Sequence, residues 1–338
     1  MKNKKRKKMR SLILLLVLTI VMFGTSTYAW FTANRVITIN SLDVHVEASN
    51  GIQVSTDAAS WKSVLTNADI KTAYDNNVNQ VPANITAVST DGTVTAGGKL
   101  NMYSSIIGND AVTGDYTIKT ALETDTAGET GKYIAFDLFV RLDTSQKVYF
   151  TPSTDVIKKG TEDKGLKNAA RVVFVNLGHT TSSADPSDMI ALNTGTSSSI
   201  IVWEPNSDAH TQVVVNTVAP DLGITLTEKL DAEENPTGKY QPVAYRGIAT
   251  EISSPKALKN IVNGTLTEEE GTVYTKVVNS NIKTLEGNAV YNEFATLEAG
   301  VTKYRVYMFL EGQDVDCENE ATGTDISFNI GLSTSNTI

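Results

Sequence analysis

One cysteine, Cys317, in 338 residues excludes an internal disulfide. The fold must therefore hold by its core. The lone thiol leaves two readings, a buried inert side chain or a crosslink between two chains. Histidine is nearly as scarce, with only His45, His179 and His210. No HExxH, CxxC, GxSxG or GxxxxGK[ST] pattern occurs, so no local motif marks a helical zinc protease, a cysteine zinc site, a nucleophile elbow or a phosphate loop. A Ser/His/Asp triad can be assembled from distant residues, but so few histidines argue for a protein that is not an enzyme. Proline numbers eight, and no Pro, Gly or Ser run marks a domain hinge. No internal repeat of fixed period is present. Long stretches of helical periodicity are also scarce.

What is present begins at the N-terminus. Seven positive charges, Lys2, Lys4, Lys5, Arg6, Lys7, Lys8 and Arg10, precede an apolar run from Leu12 to Phe23 that only Thr19 interrupts. Small residues follow as far as Ala29. That is the layout of a secretory signal peptide, residues 1–29, with the basic end on the cytoplasmic side. Thr27 and Ala29 suit positions −3 and −1, so cleavage between Ala29 and Trp30 leaves a mature chain 30–338. The alternative is a retained anchor, since Ser11 to Trp30 just reaches the roughly 20 residues a span needs. The membrane is then a partner only through the uncleaved signal. No LPxTG sequence or second long apolar run is present, so nothing is expected to hold the cleaved product covalently to the cell. Localisation is extracellular or at the cell surface.

The net charge is −9. Without the seven leader charges the remainder carries −16. Nucleic-acid binding demands clustered Lys and Arg, so nucleic acid is not expected as a partner. The acidity serves solubility and is compatible with cation binding.

The mature chain is rich in Thr, Val, Ile, Ser, Asn and Gly, and period-2 alternation is common, the mark of half-buried strands. RVITIN (35–40), LDVHV (42–46) and GIQVS (51–55) read as strands, the last after an Asn50-Gly51 hairpin turn. YIAFDLFVRL (133–142) reads as a central strand with Asp137 and Arg141 facing out, and residues 148–151, after the turn DTSQ, as its partner. Residues 171–177, 200–203, 303–311 and 326–332 add strands, and 240–248 and 272–278 add two weaker ones. Short helices are expected at 67–74, 164–170 and 255–262, the last because Ser253 and Ser254 precede Pro255. Residues 83–99, 180–188 and 231–238 read as loops. The sum is an all-β protein: one antiparallel β-sandwich domain, jelly-roll-like, with long loops and a few short helices.

Two constellations have ligand chemistry. Glu204, Asp208 and His210 follow Trp203 and Pro205. They read as part of a metal site or as a loop leaving a buried strand. Glu311, Asp314, Asp316 and Glu318 crowd four carboxylates behind a strand, oxygen ligands suited to Ca²⁺ though not at EF-hand spacing. The other reading is a solvated acidic turn. No other cofactor is suggested. Asn84 and Asn263 lie in N-x-T sequons.

The stretch TSTYAWFTANRVITINSLDVHV, about residues 24–46, resembles the start of the TasA/camelysin group of bacterial exported proteins. A small-residue cut site (Ala29) is followed by aromatics (Trp30, Phe31), a polar spacer (Thr32 to Asn40) and Ser41-Leu42-Asp43-Val44. The resemblance implies processing by a SipW-type signal peptidase and a jelly-roll subunit of an extracellular fibre or biofilm matrix. It also implies that the mature N-terminal segment adds as a strand to the next subunit, so the partners are copies of the same chain. Trp30, Phe31, Val36, Ile37 and Ile39 would form that polymerisation strand, with 30–40 the donor. The competing reading makes 30–40 the first strand of its own sheet. Two other functions stay open, a monomeric surface module binding glycan or another ligand, and a camelysin-like peptidase, for which no zinc motif is present.

Overall fold

The computed structural model describes residues 43–74, 79–109, 112, 116–159, 165–221, 225–241, 246–257, 261–262, 265–266, 274–276, 282–286, 292–317 and 325–335. The signal segment, Trp30, Phe31, Val36, Ile37, Ile39 and Glu318 lie outside them. Among the described residues no helix is long and apolar enough to cross a membrane.

The chain opens with β1 (Asp43–Ala48), β2 (Gln53–Ser55), β3 (Val64–Thr66) and the short helix α1 (Asn67–Lys71). A hairpin of β4 (Met102–Asn109) and β5 (Tyr116–Glu123) follows, then β6 (Ile134–Leu142), β7 (Gln146–Phe150) and β8 (Asp155–Lys159). β9 (Ala170–Thr180), the helix α2 (Pro186–Ala191) and β10 (Ile200–Glu204) lead to a second hairpin, β11 (Glu228–Leu230) and β12 (Pro236–Tyr240). The short strands β13 (Arg246–Ile248), β14 (Ile252–Ala257), β15 (Ile261–Val262), β16 (Thr265–Leu266) and β17 (Tyr274–Lys276) come next. The chain closes with β18 (Ile282–Glu286), β19 (Glu293–Leu297), β20 (Gly300–Leu310) and β21 (Asp325–Ser333).

The architecture is an all-β sandwich. One sheet has the order β19-β7-β21-β1-β3, with β8 also on β21; the other runs β18-β10-β9-β20-β6-β2. The chain passes from one sheet to the other between β6 and β7, between β8 and β9, and at each step from β18 to β21, a jelly-roll-like alternation. Most pairs are antiparallel. β1–β21 and β10–β18 are parallel, as long crossovers permit. Period-2 alternation builds the interior. Phe136, Leu138 and Val140 of β6 and Tyr304, Val306 and Met308 of β20 face Val44, Val46, Phe328 and Ile330 of the opposite sheet. Phe150 bridges the layers, with ring centroids 5.2 Å from Trp203 and 5.3 Å from Phe294.

The second sheet is covered on its other face too. Val88, Val94, Leu100 and Met102 pack against Ala135, Val173, Tyr307 and Phe309. The irregular chain 79–103 is therefore a third layer. Its backbone is pinned by Gln80 N–H to Ala135 O (2.8 Å), Val88 N–H to Leu310 O (3.0 Å) and Leu100 N–H to the Tyr307 hydroxyl (3.0 Å). With Ala58 and α2, which cover Val301 and Lys303, this layer explains why every residue of β20 is buried and why β6 reads as an almost continuous apolar run.

Four expectations are corrected. Asp137 does point away from the sandwich interior, but the third layer buries it. β7 is not the partner of β6; it crosses to the other sheet and pairs with β19 and β21, while β6 pairs with β20 and β2. The helix expected over 255–262 is replaced by β14, which pairs with β5, and by β15. Pro255 falls at a ladder irregularity between Ile252 and Lys256, where a missing N–H costs nothing. The helix expected over 164–170 shrinks to one 3₁₀ turn, Leu166–Ala169, because β9 begins at Ala170.

Candidate functional site

The two sequence constellations meet. β9 turns Arg171 away from the sandwich interior, and β10 ends with Glu204 beside it. The Arg171 Nε stands 3.3 Å from Glu204 Oε1. Its Nη2 donates to Asp314 Oδ2, and its Nη1 donates to the carbonyls of Asn168 (3.1 Å) and Ala170 (3.0 Å). Asp314 lies in the tight turn that follows β20, where Cys317 N–H donates to Asp314 O (3.0 Å) and Asp316 N–H to Asp314 Oδ1 (2.9 Å). The same turn presents Asp316 to His210: Nδ1 and Oδ2 are 2.6 Å apart, with the side chains 6% and 1% exposed. Asn168 Nδ2 donates to Asp316 Oδ1 at 3.3 Å. The imidazole also packs on the Tyr240 ring, centroid to centroid 5.3 Å.

Electrostatics follow from burial and from the balance of charge. Desolvation pushes the Asp316 carboxyl up, against the hydrogen bond from His210, and Asp314 adds to the rise. Burial alone would lower the His210 imidazole, but Asp316, Asp314 and Asp208 outweigh it and raise its pKa. The Cys317 thiol is fully buried and pushed well up by burial and by Asp314 and Glu311, so it is held as an unreactive thiol.

The expected ligands do not converge on one point. Glu204 faces Arg171, while Asp208 is held by Lys239 (3.1 Å) and Lys229 (3.4 Å), and His210 by Asp316. Among the acidic four, Asp314 faces Arg171 and Asp316 faces His210, while Glu311 Oε1 accepts from Gln313 N–H; Glu318 lies outside the described residues. Among the described residues no group of three or more His, Cys, Asp or Glu is placed to hold a metal ion. Among the described residues the buried His210 Nε2 has no hydrogen-bond partner.

A second buried cluster lies beneath the 79–103 layer. Arg305 of β20 stands directly opposite Asp137 of β6, with Nη1–Oδ1 at 3.2 Å, and its Nη2 is 2.8 Å from Asp125 Oδ2. Lys303 Nζ reaches Asp137 Oδ2 (3.2 Å) and donates to Ile190 O (2.6 Å). The Tyr74 hydroxyl donates to Asp137, and that of Tyr133 to Asp125 (2.9 Å). Burial would raise the Asp137 carboxyl, but Arg305, Lys303 and Tyr74 outweigh it and hold it below the usual range. Arg305 Nη1 (3.0 Å) and the Asp137 N–H (3.2 Å) also donate to Asn79 Oδ1, so the cluster fastens the outer layer to the sheet. Its one sequence signal is charge inside the apolar runs YIAFDLFVRL and KYRVYMFLE.

A third feature is a strand edge. In the sheet β14-β5-β4, β4 pairs with β5 along all eight residues, Met102 opposite Glu123 to Asn109 opposite Tyr116. On its other side Tyr103 exchanges two bonds with Ser89, both 2.8 Å. Beyond Tyr103 no strand of the described residues pairs with that side. β4 carries no charged residue and no proline, and Ile106 is 67% exposed.

No family model, curated protein or solved structure matches this chain.

Proposed function

We propose that this protein is an exported structural subunit that assembles with copies of itself into an extracellular fibre or matrix by strand addition. A signal peptidase would release Trp30 as the new N-terminus, and the cleaved product would act outside the cell. The support is the N-terminal resemblance to the TasA/camelysin group together with one register. β1 runs parallel to β21 with Asp43 opposite Ser327, and β21 starts at Asp325. Two positions further back along β1 the described ladder ends. Segment 30–40 is apolar and β-prone and lies N-terminal to that ladder. On the other side of β1, β3 pairs only with His45 to Glu47, and Asn67 Oδ1 accepts the Val44 N–H at 2.9 Å. A β-prone N-terminal segment suits main-chain pairing with another copy.

The test is electron microscopy of the exported product with and without residues 30–40. Fibres from the full product and isolated particles from the deletion are expected. Normal fibres from the deletion would refute donor-strand assembly.

A further inference from the structure

The proposed assembly needs an acceptor, and we infer that it is the outer edge of β4 in a second copy of this chain. The inference rests on the strand-addition reading above and goes further by naming the surface. Strands in an antiparallel ladder turn alternate residues to opposite sides. Tyr103 bonds outward to Ser89, so Ser105, Ile107 and Asn109 also turn their N–H and C=O groups outward, away from β5.

Other described edge strands of the larger sheets carry devices by which proteins prevent edge pairing: Lys158 and Lys159 on β8, Pro255 and Lys256 on β14, and Lys283 and Glu286 on β18. β2 and β3 are three residues long. β19 carries Glu293, which is paired with Lys147 of β7. β4 has none of these devices. It is eight residues long, uncharged and free of proline, and it presents Ile106 to solvent. Beyond Tyr103 no strand among the described residues pairs with this edge, and an unpaired edge is a template for a strand. The occupant is the segment 30–40, whose Val36, Ile37 and Ile39 have β-branched side chains suited to pair beside Ile106. It lies N-terminal to β1.

Two substitutions test the edge without touching the β4–β5 ladder. Ser105→Pro removes one outward N–H, and Ile106→Lys places a charge on the exposed face. A photo-crosslinking residue at position 37, in a mixture of ¹⁴N- and ¹⁵N-labelled copies, reports where the segment docks. The expected results are crosslinks between labelled and unlabelled copies into 102–109, with fibres lost in both β4 variants while their thermal midpoints stay at the wild-type value. Three outcomes overturn the acceptor: crosslinks confined to one copy, crosslinks to another element, or fibres unchanged in both variants. If those variants form fibres and the 30–40 deletion does not, strand addition stands and β4 alone is refuted. If the unmodified product forms no fibres, the strand-addition reading fails and this inference fails with it.

Discussion

Arg305 shows what a single buried charge does in this fold. Its side chain is 4% exposed and serves two carboxylates, Asp137 across the strand pair and Asp125 in the chain that follows β5. Removing one partner of a buried ion pair leaves an uncompensated charge and typically costs about 3–5 kcal/mol. Arg305→Ala should destabilise the protein by that amount in urea unfolding, whereas Lys147→Ala, from an exposed, solvent-screened pair with Glu293, should leave the urea midpoint almost unchanged. Acid should act on the same cluster. The Asp137 pKa is lower in the folded protein than its ordinary value of 3.8. The stabilisation is therefore present above that ordinary value and lost as pH falls through the lower folded one. Stability measured across pH 2 to 5 should drop in wild type, and Asp137→Asn should flatten that drop. The sequence contained the clue in part. Asp137 and Arg305 sit inside apolar runs, and alternation places Asp137 correctly on the face away from the sandwich interior. Their burial was not legible, because the cover comes from irregular chain, Tyr74, Asn79 and Asp125 among it, that no periodicity places on the sheet.

At the scale of elements, periodicity located the strands well and their partners poorly. β6, β9, β20 and β21 fall where alternation of apolar residues puts them. That β7 abandons β6 for the opposite sheet depends on inter-sheet packing of Val148 and Phe150, which no local turn signal encodes. The 255–262 helix was a fair reading of Ser-Ser-Pro, overridden because β5 offers a ladder to β14. Close approaches between elements were equally hidden. A Cβ on Gly247 of β13 would lie 1.7 Å from Thr90 O and 2.3 Å from Thr90 C, both backbone atoms that cannot swing aside. Beside it Ile248 N–H donates to Ser89 Oγ at 3.0 Å. Gly247→Ala should therefore push β13 off the third layer, costing about 1–3 kcal/mol as overpacking does. Hydrogen exchange at Ile248 should accelerate while the exchange of β20 amides stays slow.

At the scale of the whole molecule, the described strands close on one aromatic interior. It is lined by Phe150, Phe174, Trp203, Phe294 and Tyr304, with ring centroids 4.9 Å apart for Phe174 and Phe294. Truncating such a ring to Ala typically costs about 3–5 kcal/mol, so Phe174→Ala should lower the stability of the whole fold by that much. Residues 30–40 should behave in the opposite way. β21 offers no described pairing position for them, and the hydrogen-bonding side of β1 toward α1 ends in the Asn67 side chain. Deleting them should leave the urea midpoint of the isolated subunit unchanged, to within the roughly 0.5 kcal/mol of a surface change. The two readings of this segment differ most sharply here. A first strand of the subunit's own sheet would take part of the core with it when deleted, and the midpoint would fall with a smaller urea slope, since less surface would be buried. A strand meant for another copy would leave midpoint and slope alone. Unfolding of the subunit, measured at concentrations too low for assembly, separates the two before any fibre is imaged.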